Sequence, residues 1–137
     1  MNIGQFSKKY KVSLDTLRFY EKINLLTPHR KPSGYRDYQC VHEEQIKFIL
    51  CLKEIGFSLR EIQEVLTLAA KPANQKCKDL SNKILQNKVK ELNDSIQFYT
   101  YARDQLCIIS EFIQINSPIE NQQYIQNIIN QLYLLKV

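Results

Sequence analysis

Lys11-Val12-Ser13-Leu14-Asp15-Thr16-Leu17-Arg18-Phe19-Tyr20-Glu21-Lys22 carries the decisive pattern of the chain. Lys11-Val12-Ser13 reads as a turn. Ser13 reads as an N-cap, because its hydroxyl can accept one of the orphan N–H groups at the start of a helix. A helix from Leu14 to about Lys22 then turns Leu14 and Leu17 inward with Val12 and leaves Thr16, Arg18 and Tyr20 to project elsewhere. Upstream, Ile3, Phe6 and Tyr10 share one face of a short helix. Two short helices joined by a three-residue turn, the second of them carrying Arg18 and Lys22, form a helix-turn-helix pattern.

Working outward, Pro28-His29-Arg30-Lys31-Pro32-Ser33-Gly34-Tyr35-Arg36-Asp37-Tyr38 predicts a small β-hairpin, or wing. Ser33-Gly34 is its turn signal, and its prolines belong at strand edges or in the turn. A third helix is expected from about His42 to Ile55, with Ile46, Ile49, Leu50 and Lys53 on one stripe and Phe48, Leu52 and Ile55 beside it. Gly56 ends it as a C′ glycine. Ser58-Leu59-Arg60-Glu61 is a capping box that opens a fourth helix through Leu68.

All three glycines lie in the first 56 residues, and neither Gly nor Pro occurs between Pro72 and Pro118. That asymmetry divides the chain into a turn-rich head (1–70), a long helix (71–113) and a tail (114–137). The long helix, about 36 residues over Lys78–Ile113, would span ~54 Å. One heptad layer reads Leu85, Leu92, Tyr99, Leu106 and Ile113, all apolar. The other reads Asn82, Val89, Ile96, Arg103 and Ser110, apolar twice. A seam so long and narrow calls for a second copy of itself, hence a coiled-coil homodimer. The tail places Tyr124, Ile125, Ile128, Ile129, Leu132 and Leu135 at helical spacing, opposite a face of Asn and Gln rather than Lys and Arg, which argues against a membrane surface. The expected fold is mainly α: a winged helix-turn-helix head, a long dimerisation helix and a short C-terminal helix.

The chain has 137 residues, 44% hydrophobic and 24% charged, enough for one domain plus one long element. No apolar run approaches the ~18 residues of a membrane span, and Met1–Ser7 lacks the apolar core of a signal peptide, so the expected location is the cytoplasm. Four scattered cysteines fit no disulfide framework. Charge is uneven: residues 8–36 carry a net +6 and residues 37–66 a net −3. A basic head suits a polyanion. Catalysis is excluded, because the two histidines lack a paired nucleophile and there is no Gly-rich phosphate loop. An interaction module built on the coiled coil alone would leave the Arg18–Tyr20 and Tyr35–Arg36 groupings unexplained.

The combination Ile3-Gly4-Gln5-Phe6, Val12-Ser13, Thr16-Leu17-Arg18-Phe19-Tyr20-Glu21, Leu25-Leu26-x-Pro28, Gly34-Tyr35-Arg36-x-Tyr38 and Ile55-Gly56-Phe57-Ser58-Leu59-x-Glu61-Ile62 resembles the MerR family of bacterial transcription regulators. The likeness is close over residues 1–70 and extends in kind to the long helix. Cys40 and Glu43 depart from it, standing where a polar helix-start residue and an apolar one are expected. The resemblance implies a homodimer that grips double-stranded promoter DNA and distorts an overlong spacer for RNA polymerase when an effector is present. Arg18 and Tyr20 are then expected at phosphate or base edges, Ser13 and Thr16 at phosphate near the helix N-terminus, and Lys31, Tyr35 and Arg36 of the wing at flanking phosphates. Phe19 is expected in the core.

Three effector readings follow. Cys51 lies in a segment similar to that of the family branch answering to thiol-reactive electrophiles, with Lys47 and Lys53 near enough to activate it; the plain alternative is a small buried hydrophobe. Cys77 resembles a ligand of the metal-responsive branch. Its companion Cys107 lies thirty residues on, inside the helix, and Ile115–Ile119 supplies no further cysteine, so two thiolates make an incomplete set. Cys40-x-His42 is a two-ligand fragment only. The third reading is a small organic effector, or none. No cofactor is required, and a metal is the less favoured alternative.

Overall fold

The structure of the chain is a computed structural model that describes residues 1–70 and 74–136. Its elements are α1 (Ile3–Tyr10), α2 (Leu14–Lys22), β1 (His29–Arg30), β2 (Arg36–Asp37), α3 (Cys40–Ile55), α4 (Leu59–Ala70), α5 (Gln75–Ile115) and α6 (Pro118–Leu135). They form two compact units, Met1–Ser81 and Asn82–Val137. The expected start of the long segment at residue 71 lies outside the described residues.

In the first unit, local chemistry sets each boundary. The Asn2 side chain accepts the Gln5 N–H (2.9 Å) and the Gln5 side chain accepts the Asn2 N–H (3.0 Å), a reciprocal cap for α1. Lys11, left-handed at φ 54°, ends α1, and the Ser7 hydroxyl donates to the Val12 carbonyl (2.6 Å) to hold the turn. Ser13 caps α2 by accepting the Thr16 N–H at 3.0 Å. Asn24, left-handed at φ 57°, stops α2, and the Leu25 N–H donates back to the Tyr20 carbonyl (2.8 Å). Gly56 (φ 107°) closes α3, and Ser58 with Glu61 forms the expected reciprocal cap on α4.

The core of this unit is built from Phe6, Leu17, Tyr20, Leu26, Tyr38, Ile46, Ile49 and Ile62. Phe6 stacks on Tyr38 with ring centroids 4.2 Å apart. His42 is buried as well. Its Nδ1 accepts the Gln39 N–H (2.8 Å), which leaves the ring proton on Nε2, and its ring meets the His29 ring edge-on at 5.0 Å. Burial, then the neighbouring His29, hold His42 below the usual histidine pKa. Glu43, the departure noted in the sequence, binds both Lys9 and the Tyr10 hydroxyl and so ties α3 to α1.

Leu14, expected inward, is exposed. It is the first residue of α2, where the chain has only just left the Ser13 cap, and Val12 fills the corresponding place in the core.

In the second unit α5 packs antiparallel against α6, with the Phe112 and Tyr124 rings stacked at 4.1 Å and Ile128 buried. Ser117 caps α6 ahead of Pro118 at its first position. That packing takes one side of α5. On another side Leu85, Val89, Ile96, Tyr99, Leu106 and Ile113 stay exposed. These are the apolar heptad positions, Leu92 alone among them being half-buried. The single protomer therefore leaves the expected dimer seam bare. Leu106→Asp places a charge in that seam and is expected to convert a dimer into monomers in sedimentation velocity, with helical content retained.

Candidate nucleic-acid interface

The helical period of α2 sorts its side chains three ways. Leu17 and Tyr20 point into the core, Glu21 points at the wing, and Asp15, Arg18, Phe19 and Lys22 face outward. This corrects two sequence expectations. Tyr20, expected on DNA, is 1% exposed, and Phe19, expected in the core, is 47% exposed. The reason is spacing: Tyr20 lies one turn beyond Leu17 and shares its face, whereas Phe19 lies beside Arg18. The Tyr20 hydroxyl meets Lys53 Nζ of α3 at 3.4 Å.

Ser13 and Thr16 stand together at the N-terminus of α2, their hydroxyl oxygens 2.7 Å apart. Arg18 pairs with Asp15 at 3.2 Å in an exposed i,i+3 contact, which holds it weakly and leaves it free to exchange for phosphate.

The wing is a tight hairpin. The Gly34 N–H donates to the Lys31 carbonyl (2.8 Å) and the Lys31 N–H to the Tyr35 carbonyl (2.9 Å), with Pro32 at the second turn position and Gly34 at φ 84°. Lys31 and Tyr35 stand exposed at its tip, Tyr35 at 75%. Arg36 is placed differently from the expected phosphate contact. Its Nε donates to Glu21 Oε2 (2.5 Å), while Arg30 donates to Glu21 Oε1 (2.6 Å) and to the Gly34 carbonyl (3.0 Å). Burial pushes the Glu21 carboxyl up, and the two guanidiniums outweigh it, so its pKa lies below the ordinary 4.5.

All four cysteines are free thiols; Cys40, Cys51 and Cys107 are exposed and Cys77 half-buried. Cys51 is thus not the buried hydrophobe of the plain alternative. Both neighbouring lysines have other partners: Lys47 pairs with Glu44 (2.8 Å) and Lys53 with the Tyr20 hydroxyl (3.4 Å). The Cys77 N–H donates to Asn74 Oδ1 (2.8 Å) in the first turn of α5. Among the described residues no three His, Cys, Asp or Glu side chains gather as a metal site.

Residues 1–68 match the family described as MerR HTH family regulatory protein, and residues 43–107 match MerR, DNA binding. The regulator HmrR of Rhizobium leguminosarum bv. viciae is 32% identical over 77% of this chain and 81% of its own length. The chain belongs to the MerR family. CueR of Yersinia pestis is 32% identical over 81% of this chain and 79% of its own. A crystal structure of a MerR-family transcriptional regulator from Listeria monocytogenes covers 96% of this chain and 98% of its own at TM-score 0.70 and 25% identity.

The chain is therefore a DNA-binding transcription regulator and not an enzyme, and MerR regulators meet double-stranded promoter DNA as homodimers that act with RNA polymerase. Membership also removes the reading of a coiled-coil module without DNA. None of the described helices is long and apolar enough to cross a membrane.

Two predictions follow from this geometry. Tyr20→Ala should cost about 3–5 kcal/mol of head stability as a core truncation, while Phe19→Ala should stay within about 0.5 kcal/mol yet weaken DNA binding; melts and gel shifts on the two variants separate the roles. Acid should destabilise the head in two steps. The lowered His42 pKa means the unfolded chain takes up its proton first as pH falls below 6.5. The Glu21 contribution, present above 4.5, is lost as pH falls through its lowered value. Glu21→Gln should shrink the second step, to which Asp37 and Glu43 also contribute through their lowered values, and leave the first unchanged in thermal melts across the acid range.

Proposed function

We propose that this MerR-family dimer distorts the spacer of its target promoter in response to a thiol-reactive electrophile that modifies Cys51. Ser13, Thr16, Arg18 and Phe19 of α2 meet one stretch of the groove and its phosphates, and Lys31 and Tyr35 of the wing meet flanking phosphates. Two heads on one dimer match a two-fold DNA site. Distorting a duplex costs roughly 1–6 kcal/mol, which this double grip has to offset.

The observation that carries the effector reading is the position of Cys51 on α3. Its thiol is open to solvent. Two residues further on, Lys53 of the same helix reaches the Tyr20 hydroxyl of α2. An adduct on Cys51 therefore enlarges a side chain on the helix that backs the DNA-facing helix. With an α-oxoaldehyde the thiolate sulfur bonds to the aldehyde carbon, the C=O π pair moves to oxygen, and that oxygen takes a proton.

Cys77 and Cys107 do not fit a metal equally well. Two thiolates thirty residues apart on one helix leave a zinc or copper set incomplete, and no third donor joins either among the described residues.

Run-off transcription from the chain's target promoter, with wild type and Cys51→Ser, tests the reading. Methylglyoxal is expected to switch wild type and not Cys51→Ser, with zinc and copper inert. Switching by either metal, lost in Cys77→Ser, would replace the electrophile reading with the metal one.

A further inference from the structure

The wing contains an electrostatic conflict that its own hairpin cannot resolve. The strand register sets Arg30 directly opposite Arg36. Like charges at directly paired positions repel and destabilise a hairpin. This hairpin has only two residues per strand, so its ladder has little with which to oppose that repulsion.

Glu21 of α2 supplies the missing anion. One carboxylate oxygen takes Arg30 and the other takes Arg36. Its side chain is 16% exposed, against 49% for Arg30 and 28% for Arg36. Arg30 also reaches across the turn to the Gly34 carbonyl (3.0 Å), so one guanidinium joins the helix, the strand and the tip. Charge-assisted contacts of this length are the strong, geometrically specific kind.

We infer that Glu21 is the positioning residue that sets the distance between the DNA-facing helix and the wing, and that Arg30 and Arg36 serve this clamp and not the phosphates. The inference rests on the DNA-contact reading above and reassigns one of its expected contacts. Phosphate contact in the wing then falls to Lys31 and Tyr35, which are exposed beyond the clamp.

The clamp reverses the sign expected from charge alone. Removing an acid from a DNA-facing surface should strengthen DNA binding. If Glu21 positions the wing, removing it should weaken binding, because Lys31 and Tyr35 lose their register with α2.

The test uses the full-length dimer and a duplex selected by the wild-type chain from a randomised pool. Affinity is measured over a range of salt. Glu21→Gln is expected to bind about tenfold more weakly. Arg36→Lys keeps the charge but lacks the planar fork, and is expected to weaken binding too. In the Glu21→Gln background Arg36→Lys should cost nothing further. Lys31→Ala should lower the salt slope by about 0.9 for each phosphate released.

Tighter binding by Glu21→Gln, with a steeper salt slope, would overturn the inference and make Glu21 a brake on two phosphate-binding arginines. Wild-type affinity in Arg36→Lys would also overturn it, since charge alone would then suffice. Should Glu21→Gln fail to fold by circular dichroism, Arg36→Lys still decides. Arg18→Ala is the control for the underlying reading. If it leaves affinity and salt slope unchanged, the DNA-contact assignment itself is wrong, whatever the clamp variants do.

Discussion

Leu17 and Tyr20, one turn apart on α2, are both completely enclosed, and the orientation of everything else on that helix follows from them. A nine-residue helix has too little intrinsic stability to hold itself in water. Its axis and its rotation are fixed by what it buries. Once those two side chains are seated among Phe6, Tyr38, Ile46 and Ile49, Arg18 and Phe19 have no choice but to face outward and Glu21 to face the wing. The surface proposed to meet DNA is in this sense the reverse side of the core.

The same enclosure links the helix to its support. Tyr20 brings a hydroxyl to the edge of the core, where Lys53 of α3 meets it. The C-cap of α2, one turn further on, is tied by Gln63 of α4, whose side-chain amide donates to the Ile23 carbonyl at 2.5 Å. Thus α3 and α4 each hold one polar group of the α2 region, so a displacement of α3 reaches α2 through a contact and not through bulk deformation. The proposed signal at Cys51 would have this contact as its route to α2.

Much of this was legible in the chain. Ser13, Gly56 and Ser58 announce helix ends through chemistry that depends only on near neighbours, and the structure uses them that way. The bare heptad positions of α5 were legible because a period sustained over so many turns leaves few alternatives. The readings that failed turned on rotation about a helix. Phe19 looks like core because it is aromatic and apolar, yet the step of three from Leu17 lands on Tyr20. Arg36 and Glu21 were legible as charges and not as partners, because their contact spans a hairpin whose register no local signal fixes. Glu43 looked out of place for a related reason: its partners, Lys9 and Tyr10, lie on another helix.

Because each strand of the wing holds only two residues, its order is borrowed from α2 and not generated by its own ladder. That makes the chain unequally tolerant of changes in length. Residues added at Pro32-Ser33 would lengthen the tip while leaving Arg30 facing Arg36 across the carboxylate. A single residue added between Tyr35 and Arg36 would turn one guanidinium to the other side of the hairpin and strand the carboxylate with half its complement. An insertion is therefore best tolerated at the apex of this wing, where its reach can be lengthened without disturbing how the hairpin is held.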